Sequence, residues 1–201
     1  IVDIRDDSRE GFSDRNYLDL EGVASFETIT EAGAFRGGVV LPGRDRAVFT
    51  TRNPDGLVWF DLSAIEDNDV KETTRLTFVA TEALQDSDQD EGGESVAIIG
   101  GTQPALLDDR LFIPQFRDNS LSVFDLSLGT HGEEVGYVPN LGENPHVVAI
   151  SPDQRWAVVA NYAGDLASDG LASSTLAILD IDPTSPDYLT PVSWIRNRRH
   201  E

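Results

Sequence analysis

An all-β chain is what the 201-residue sequence predicts, on three observations: an internal repeat, short apolar runs separated by turn residues, and no 3.6-residue apolar period sustained over a helix's length. The repeat organises the rest. Sliding the chain by 64 places the segment from Asp45 to Ser63 on the segment from Asp109 to Ser127 without a gap, and 7 of the 19 positions are identical. The identities are Asp45/Asp109, Arg46/Arg110, Leu57/Leu121, Phe60/Phe124, Asp61/Asp125, Leu62/Leu126 and Ser63/Ser127. In a third copy the stretch from Ala157 to Tyr162 stands where the second has Leu111 to Phe116, and Leu176 to Asp182 stands where it has Leu121 to Ser127. Small and polar residues around Gly164 to Ser174 lengthen that copy between its halves. The opening stretch from Ile1 to Ile4 fits the slot of Trp59 to Leu62, so the repeat marks fall at Asp3, Asp61, Asp125 and Asp180.

Each copy reads as four short strands. A first run such as Val147 to Ile150 closes at the turn from Ser151 to Gln154, where Pro152 suits the second turn position and Asp153 can bond the turn backbone. Second runs follow at Val48-Phe49, Leu111 to Ile113 and Trp156 to Val159. Polar turns, Asn53 to Gly56 and Arg117 to Ser120, lead into third runs that end Phe-Asp-Leu or Leu-Asp-Ile. Fourth runs are weaker, at Arg75 to Val79, Glu134 to Val138 and Tyr188 to Ile195. Four strands per unit is the count of a β-propeller blade. The third runs are apolar on consecutive residues, as in Leu57 to Phe60, which means that both faces of the strand are covered by neighbouring blades. Trp59, Phe60, Phe124 and Leu179 are therefore expected to be buried, and the aspartate after each third run is expected to cap backbone N–H groups in the turn.

The domain reading is one partial propeller, residues 1–201, of four-stranded antiparallel blades, with about three and a half blades present. Residues 1–34 would end a preceding blade, 35–82, 96–143 and 144–196 would be blades, and 83–95 and 163–174 would be loop insertions. Three copies and a fraction cannot close a ring, so the chain reads as a portion of a larger propeller. Its expected partners are the remaining blades or another protein chain. The start at Ile1 and the lack of Met fit a processed product or a piece of something longer.

Composition narrows the function classes. With 39% apolar and 25% charged residues the chain has the balance of a folded, water-soluble domain, and no apolar run approaches the ~18 residues of a helical membrane span. There are 36 acidic against 15 basic residues, a formal net charge of −21, and the single lysine is Lys71. A polyanion needs a clustered basic face, and the one dense basic group is Arg196, Arg198 and Arg199, so nucleic acid is not an expected partner. Without cysteine there is no disulfide framework and no thiolate site.

The stretch from Asn144 to Tyr162 resembles the YVTN-type β-propeller repeat, in which P-H-x-V-A-hydrophobic-S-P-D-G-R precedes a strand ending V-x-N. Gln154 stands where that family usually has glycine, and Gln115 and Thr51 replace the strand-end asparagine in the other copies. The resemblance is fullest over 144–182 and partial over 35–127. It implies a ring of blades, commonly seven, and a periplasmic, cell-surface or secreted location in the bacterial envelope. Lactonase-like propellers of the same superfamily hold their substrate at the central channel, which is what the resemblance implies for a site here.

Among three histidines, His131 in a Gly-Thr-His-Gly turn and His200 beside the end are expected to be exposed. His146 opens a first strand, the strand that lines a propeller channel, and Asn144 and Asn161 are the amides expected near it. These three are the candidate catalytic residues of a lactonase-like hydrolase. Nucleophilic catalysis would further need a group that orients the base, and neither a G-x-S-x-G elbow nor a phosphate loop occurs. Asp86, Asp88, Asp90 and Glu94 are the metal candidates, because carboxylates at alternate positions can converge on Ca²⁺. The turn glycine there comes one place late, and Ala97 stands where a calcium loop ends in glutamate. The reading favoured by the sequence is a non-enzymatic binding or scaffold module. The hydrolase at His146 is the alternative.

Overall fold

The computed structural model describes residues 34–52, 56–62, 77–82, 101–116, 118–162 and 175–196. They form twelve strands and, among the described residues, no helix. The first blade is β1 (Ala34–Leu41), β2 (Arg46–Arg52), β3 (Gly56–Asp61) and β4 (Thr77–Glu82). The second is β5 (Ala105–Leu107), β6 (Arg110–Gln115), β7 (Ser120–Asp125) and β8 (Glu133–Val138). The third is β9 (Pro145–Ile150), β10 (Trp156–Asn161), β11 (Thr175–Asp180) and β12 (Thr190–Arg196). Every sheet runs in chain order with antiparallel neighbours, the meander of a propeller blade.

The repeat read from the sequence recurs as a repeated backbone bond. The N–H groups of Leu62, Leu126 and Ile181 donate to the carbonyls of Asp45, Asp109 and Arg155 at 2.6, 2.7 and 2.9 Å, tying the end of each third strand to the turn before the second. Two of the repeat aspartates, Asp125 and Asp180, cap as expected. Asp125 Oδ1 accepts from Ser127 N at 2.9 Å and Ser127 Oγ at 2.6 Å, and Asp180 accepts from Asp182 N at 3.0 Å and Ser185 Oγ at 2.9 Å. The Ser127 hydroxyl and amide hold the Asp125 carboxyl below its ordinary pKa.

Stacking follows from the double-faced third strands. Leu57 and Trp59, with Leu41 and Val48, pack on Leu111, Ile113, Phe124 and Leu126 of the second blade. Phe112, Leu121 and Val123 point the other way and pack on Val148, Ala157, Val159, Ala177, Leu179 and Ile181. Val123 and Phe124, consecutive in sequence, therefore lie in different cores, and Trp59, Phe60, Phe124 and Leu179 are all buried.

An arginine at the start of each of the first two second strands reaches the next blade. Arg46 Nη1 donates to the Thr130 carbonyl at 3.2 Å, and Arg110 Nη1 to the Tyr188 hydroxyl at 2.6 Å. In the third copy Trp156 takes that slot, and the Arg155 guanidinium lies 4.6 Å over its ring. Along the inner strands, residues 101–104 tie the three blades together. Thr50 Oγ1 donates to the Thr102 carbonyl at 2.7 Å, Thr102 N to the Pro114 carbonyl at 2.9 Å, and Gln103 N to the His146 carbonyl at 3.1 Å. The approach is close enough that a Cβ on Gly37 would fall 2.6 Å from Gln103 Cα.

The outer strands depart from the sequence reading. β4 is Thr77–Glu82, shifted past Arg75 to Val79. β12 starts at Thr190 because Tyr188 N and Thr190 N bond the Ser185 and Asp187 carbonyls in a turn, with Leu189 at φ 57°. The half blade before residue 34 and the insertions 83–95 and 163–174 lie outside the described residues.

Candidate functional site

His146 is the second residue of β9, the inner strand of the third blade, and its side chain is exposed. Two other rings meet it. Phe116, just after β6, lies 6.1 Å away edge-on at 73°, and Tyr162, just after β10, lies 6.3 Å away at 74°. Phe116 and Tyr162 are themselves 6.4 Å apart, tilted by 46°, so the three rings form a nearly equilateral cluster between the second and third blades. Tyr162 is 73% exposed and presents most of its ring to solvent.

The two asparagines hold the backbone around this cluster. Asn144, at φ 56°, donates its Nδ2 to the Phe116 carbonyl at 2.9 Å, and its own N–H donates to Asn119 Oδ1, also at 2.9 Å. Its carbonyl accepts from Tyr162 N at 2.9 Å, so a single residue fixes the backbone behind both flanking rings. Asn161 is buried, and its Nδ2 donates to the Leu141 carbonyl at 3.0 Å and to Thr175 Oγ1 at 2.8 Å. Gln115, its counterpart in the second copy, is likewise buried and donates to Ser122. Strand-end amides thus stitch the second strand to the third. Among the described residues no carboxylate is hydrogen-bonded to the His146 ring, the arrangement that would orient it as a base.

A polar cluster that the sequence reading did not single out lies on the face of the second blade turned toward the first. Asp118 accepts from Ser120 and Tyr137, and Ser122 sits between Gln115 and Glu134. Burial pushes the Glu134 carboxyl above its ordinary pKa, the Ser122 hydrogen bond pulls it back in part, and the nearby Asp118 charge raises it further. Alternation in Ser120-Leu-Ser-Val123 is the signal that could have found it, since two hydroxyls on one face of a buried strand require polar partners.

His131 is a correction to the exposed position expected for it. It is half-buried, with its ring 5.9 Å from that of Trp59, because Arg46 draws the β7–β8 turn onto the first blade through Thr130. His200 and the metal candidates Asp86, Asp88, Asp90 and Glu94 lie outside the described residues. Within the described residues no three His, Asp or Glu side chains are grouped to hold a metal ion.

No protein-family model matches the chain, and no curated protein matches it. Solved structures do. One is described as a putative 6-phosphogluconolactonase from Bacteroides uniformis, 12% identical, with a TM-score of 0.60 over 84% of this chain and 43% of that one. Another is described as a hypothetical selenium-binding protein from Sulfolobus tokodaii, 12% identical, with a TM-score of 0.53 over 81% of this chain and 40% of that one. At this identity the likeness defines the class of fold, propeller-like and all-β, and this chain spans less than half the length of either structure.

Proposed function

We propose that the chain is a portion of a β-propeller that works as a recognition module, contacting its ligand at the inner rim around Phe116, His146 and Tyr162. The observation that carries this reading is the pairing of an exposed aromatic cluster with asparagines whose amide nitrogens donate to the protein's own backbone carbonyls. An exposed ring cluster can bind a flat or apolar group by stacking without any proton transfer. Catalysis would need a second titratable group placed against His146. The YVTN-like repeat supports placing such a module in the bacterial envelope, periplasmic, on the cell surface or secreted, with the remaining blades or another chain as partner. The acidic segment Asp86, Asp88, Asp90 and Glu94 is proposed to take Ca²⁺.

The second reading is a lactonase-like hydrolase using His146, favoured by that residue's exposure on an inner strand and by the description of the Bacteroides structure. Hydrolysis of glucono-δ-lactone separates the two. The recognition reading expects the buffer rate for the protein and for His146→Ala alike. Turnover that disappears in His146→Ala would replace it with the hydrolase.

A further inference from the structure

We infer that the ring cluster between the second and third blades binds a quaternary ammonium group, which names the ligand class of the recognition site proposed above and rests on that reading. The repeat shows that these rings are not a requirement of the fold. Tyr162 follows Asn161 as Phe116 follows Gln115 and Arg52 follows Thr51. Pro145 pairs with Asn161 as Gly101 pairs with Gln115, which puts His146 in the slot of Thr102. Where the first and second blades meet, the three corresponding places therefore hold Arg52, Phe116 and Thr102. Blade stacking is served there without a ring cluster, so Phe116, His146 and Tyr162 together need another reason. Tyr162 keeps 73% of its surface in solvent, and His146 is exposed as well.

The angles decide what shape fits. His146 stands at 73° to Phe116 and at 74° to Tyr162, and those two are tilted by 46° to each other. A flat ligand can stack on one such ring at a time, whereas a rounded group set above the three touches all of them. With centroids 6.1, 6.3 and 6.4 Å apart, a point about 3.5 Å above their plane lies about 5 Å from each, within the ~6 Å reach of a cation–π contact.

Charge selects a cation over a neutral group of the same shape. The chain carries 36 acidic and 15 basic residues, and that field draws cations toward an exposed aromatic site. The segments that bring the rings together, 116–119 and 143–146, contain two carboxylates, Asp118 and Glu143, against one guanidinium, Arg117. The side-chain amide nitrogens nearby are turned inward, Asn144 Nδ2 to the Phe116 carbonyl and Asn161 Nδ2 to the Leu141 carbonyl and Thr175 Oγ1. An anionic or carbonyl ligand would find neither of these donors. A primary ammonium has three N–H groups to satisfy, while a quaternary one has none and asks the rim for no hydrogen bond.

Choline and its uncharged isostere 3,3-dimethylbutan-1-ol are titrated by calorimetry into the protein as its own cells produce it, with benzyl alcohol as a flat neutral probe. Low ionic strength preserves the field, and pH 8 keeps imidazole groups neutral. Choline should bind on the order of tenfold or more tightly than the isostere. Tyr162→Phe should keep that preference, and Tyr162→Leu, which keeps an apolar side chain without a π-face, should lose most of it. Equal affinity for choline and the isostere overturns the inference and leaves the recognition reading standing, as does binding of benzyl alcohol alone that Tyr162→Leu abolishes. Binding of none of the three overturns both. A choline preference that Tyr162→Leu leaves unchanged overturns the inference by placing the ammonium elsewhere. Sedimentation with phosphatidylcholine vesicles distinguishes the sources of the group. Pelleting that is lost in Tyr162→Leu assigns a lipid headgroup, and choline binding without pelleting assigns a soluble ligand.

Discussion

Leu121→Ala and Leu176→Ala make the sharpest stability comparison, because the two leucines hold the same place in successive copies and differ only in what stands opposite them. Leu121 is 0% exposed and packs among Phe112, Val148 and Leu179, so truncation removes buried methyl groups and leaves an enclosed cavity. Substitutions of that kind cost about 3–4 kcal/mol. Leu176 is 37% exposed on an open face, so no closed cavity forms, and the loss is confined to part of the transfer term, about 1 kcal/mol. The difference of about 2–3 kcal/mol, divided by a urea slope of about 2 kcal/mol/M, separates the two midpoints by about 1–1.5 M. Urea titration of the 201-residue chain followed by far-UV circular dichroism reads this directly. Equal midpoints would refute the assignment of faces, and with it the stacking order of the blades.

Three further outcomes follow from particular residues. Glu134 has a folded pKa raised above its ordinary 4.5, so the folded state holds the proton more tightly. Its contribution is complete below that value and is lost as pH rises through the raised one. Glu134→Gln should therefore flatten the fall in urea midpoint between acidic and neutral pH, and an unaltered fall would show that the carboxyl is not desolvated. Gln154 sits at φ 60° in the turn that opens β10, and Gln154→Gly should raise stability by about 0.5–1 kcal/mol, relief of a left-handed backbone outweighing glycine's entropy in the unfolded chain. Thermal denaturation checks it, and a loss of stability would mean that the Gln154 side chain contributes more than its backbone costs. Calorimetric titration of Ca²⁺ into metal-free protein should show a site that is absent in Asp88→Ala, and no heat at millimolar calcium would retire the calcium proposal.

The blades were legible in the sequence wherever one local pattern had one physical cause. Consecutive apolar residues at Leu57 to Phe60 and Leu121 to Phe124 announced strands covered on both faces, broken in the second copy by Ser122, and the aspartate after each third run announced a turn cap that Asp125 and Asp180 then make. Outer strands were placed less well, because β4 and β12 take their limits from turn hydrogen bonds and ladder bulges that leave little trace in hydrophobicity. The site was legible only in part. His146 was placed on an inner strand, but of its two ring neighbours Tyr162 comes from the far end of the paired strand β10 and Phe116 from the second blade, reaching His146 only when the second and third blades stack. One trace of them does exist, since the alignment of copies puts Phe116 and Tyr162 in the same slot. Asn144 and Asn161 stand in the region expected for them, beside and behind the ring cluster. Their amides hold backbone geometry, which residue type alone does not distinguish from substrate binding.

Whether these residues are blades of a larger recognition propeller is tested most directly by native mass spectrometry of the protein isolated from its own cells. The expected species lies well above the 21.9 kDa of this chain, and its added mass is further blade-forming sequence, either in the same polypeptide or in a tightly bound second one. A homogeneous monomer of 21.9 kDa, or a dimer of that chain alone, would contradict it.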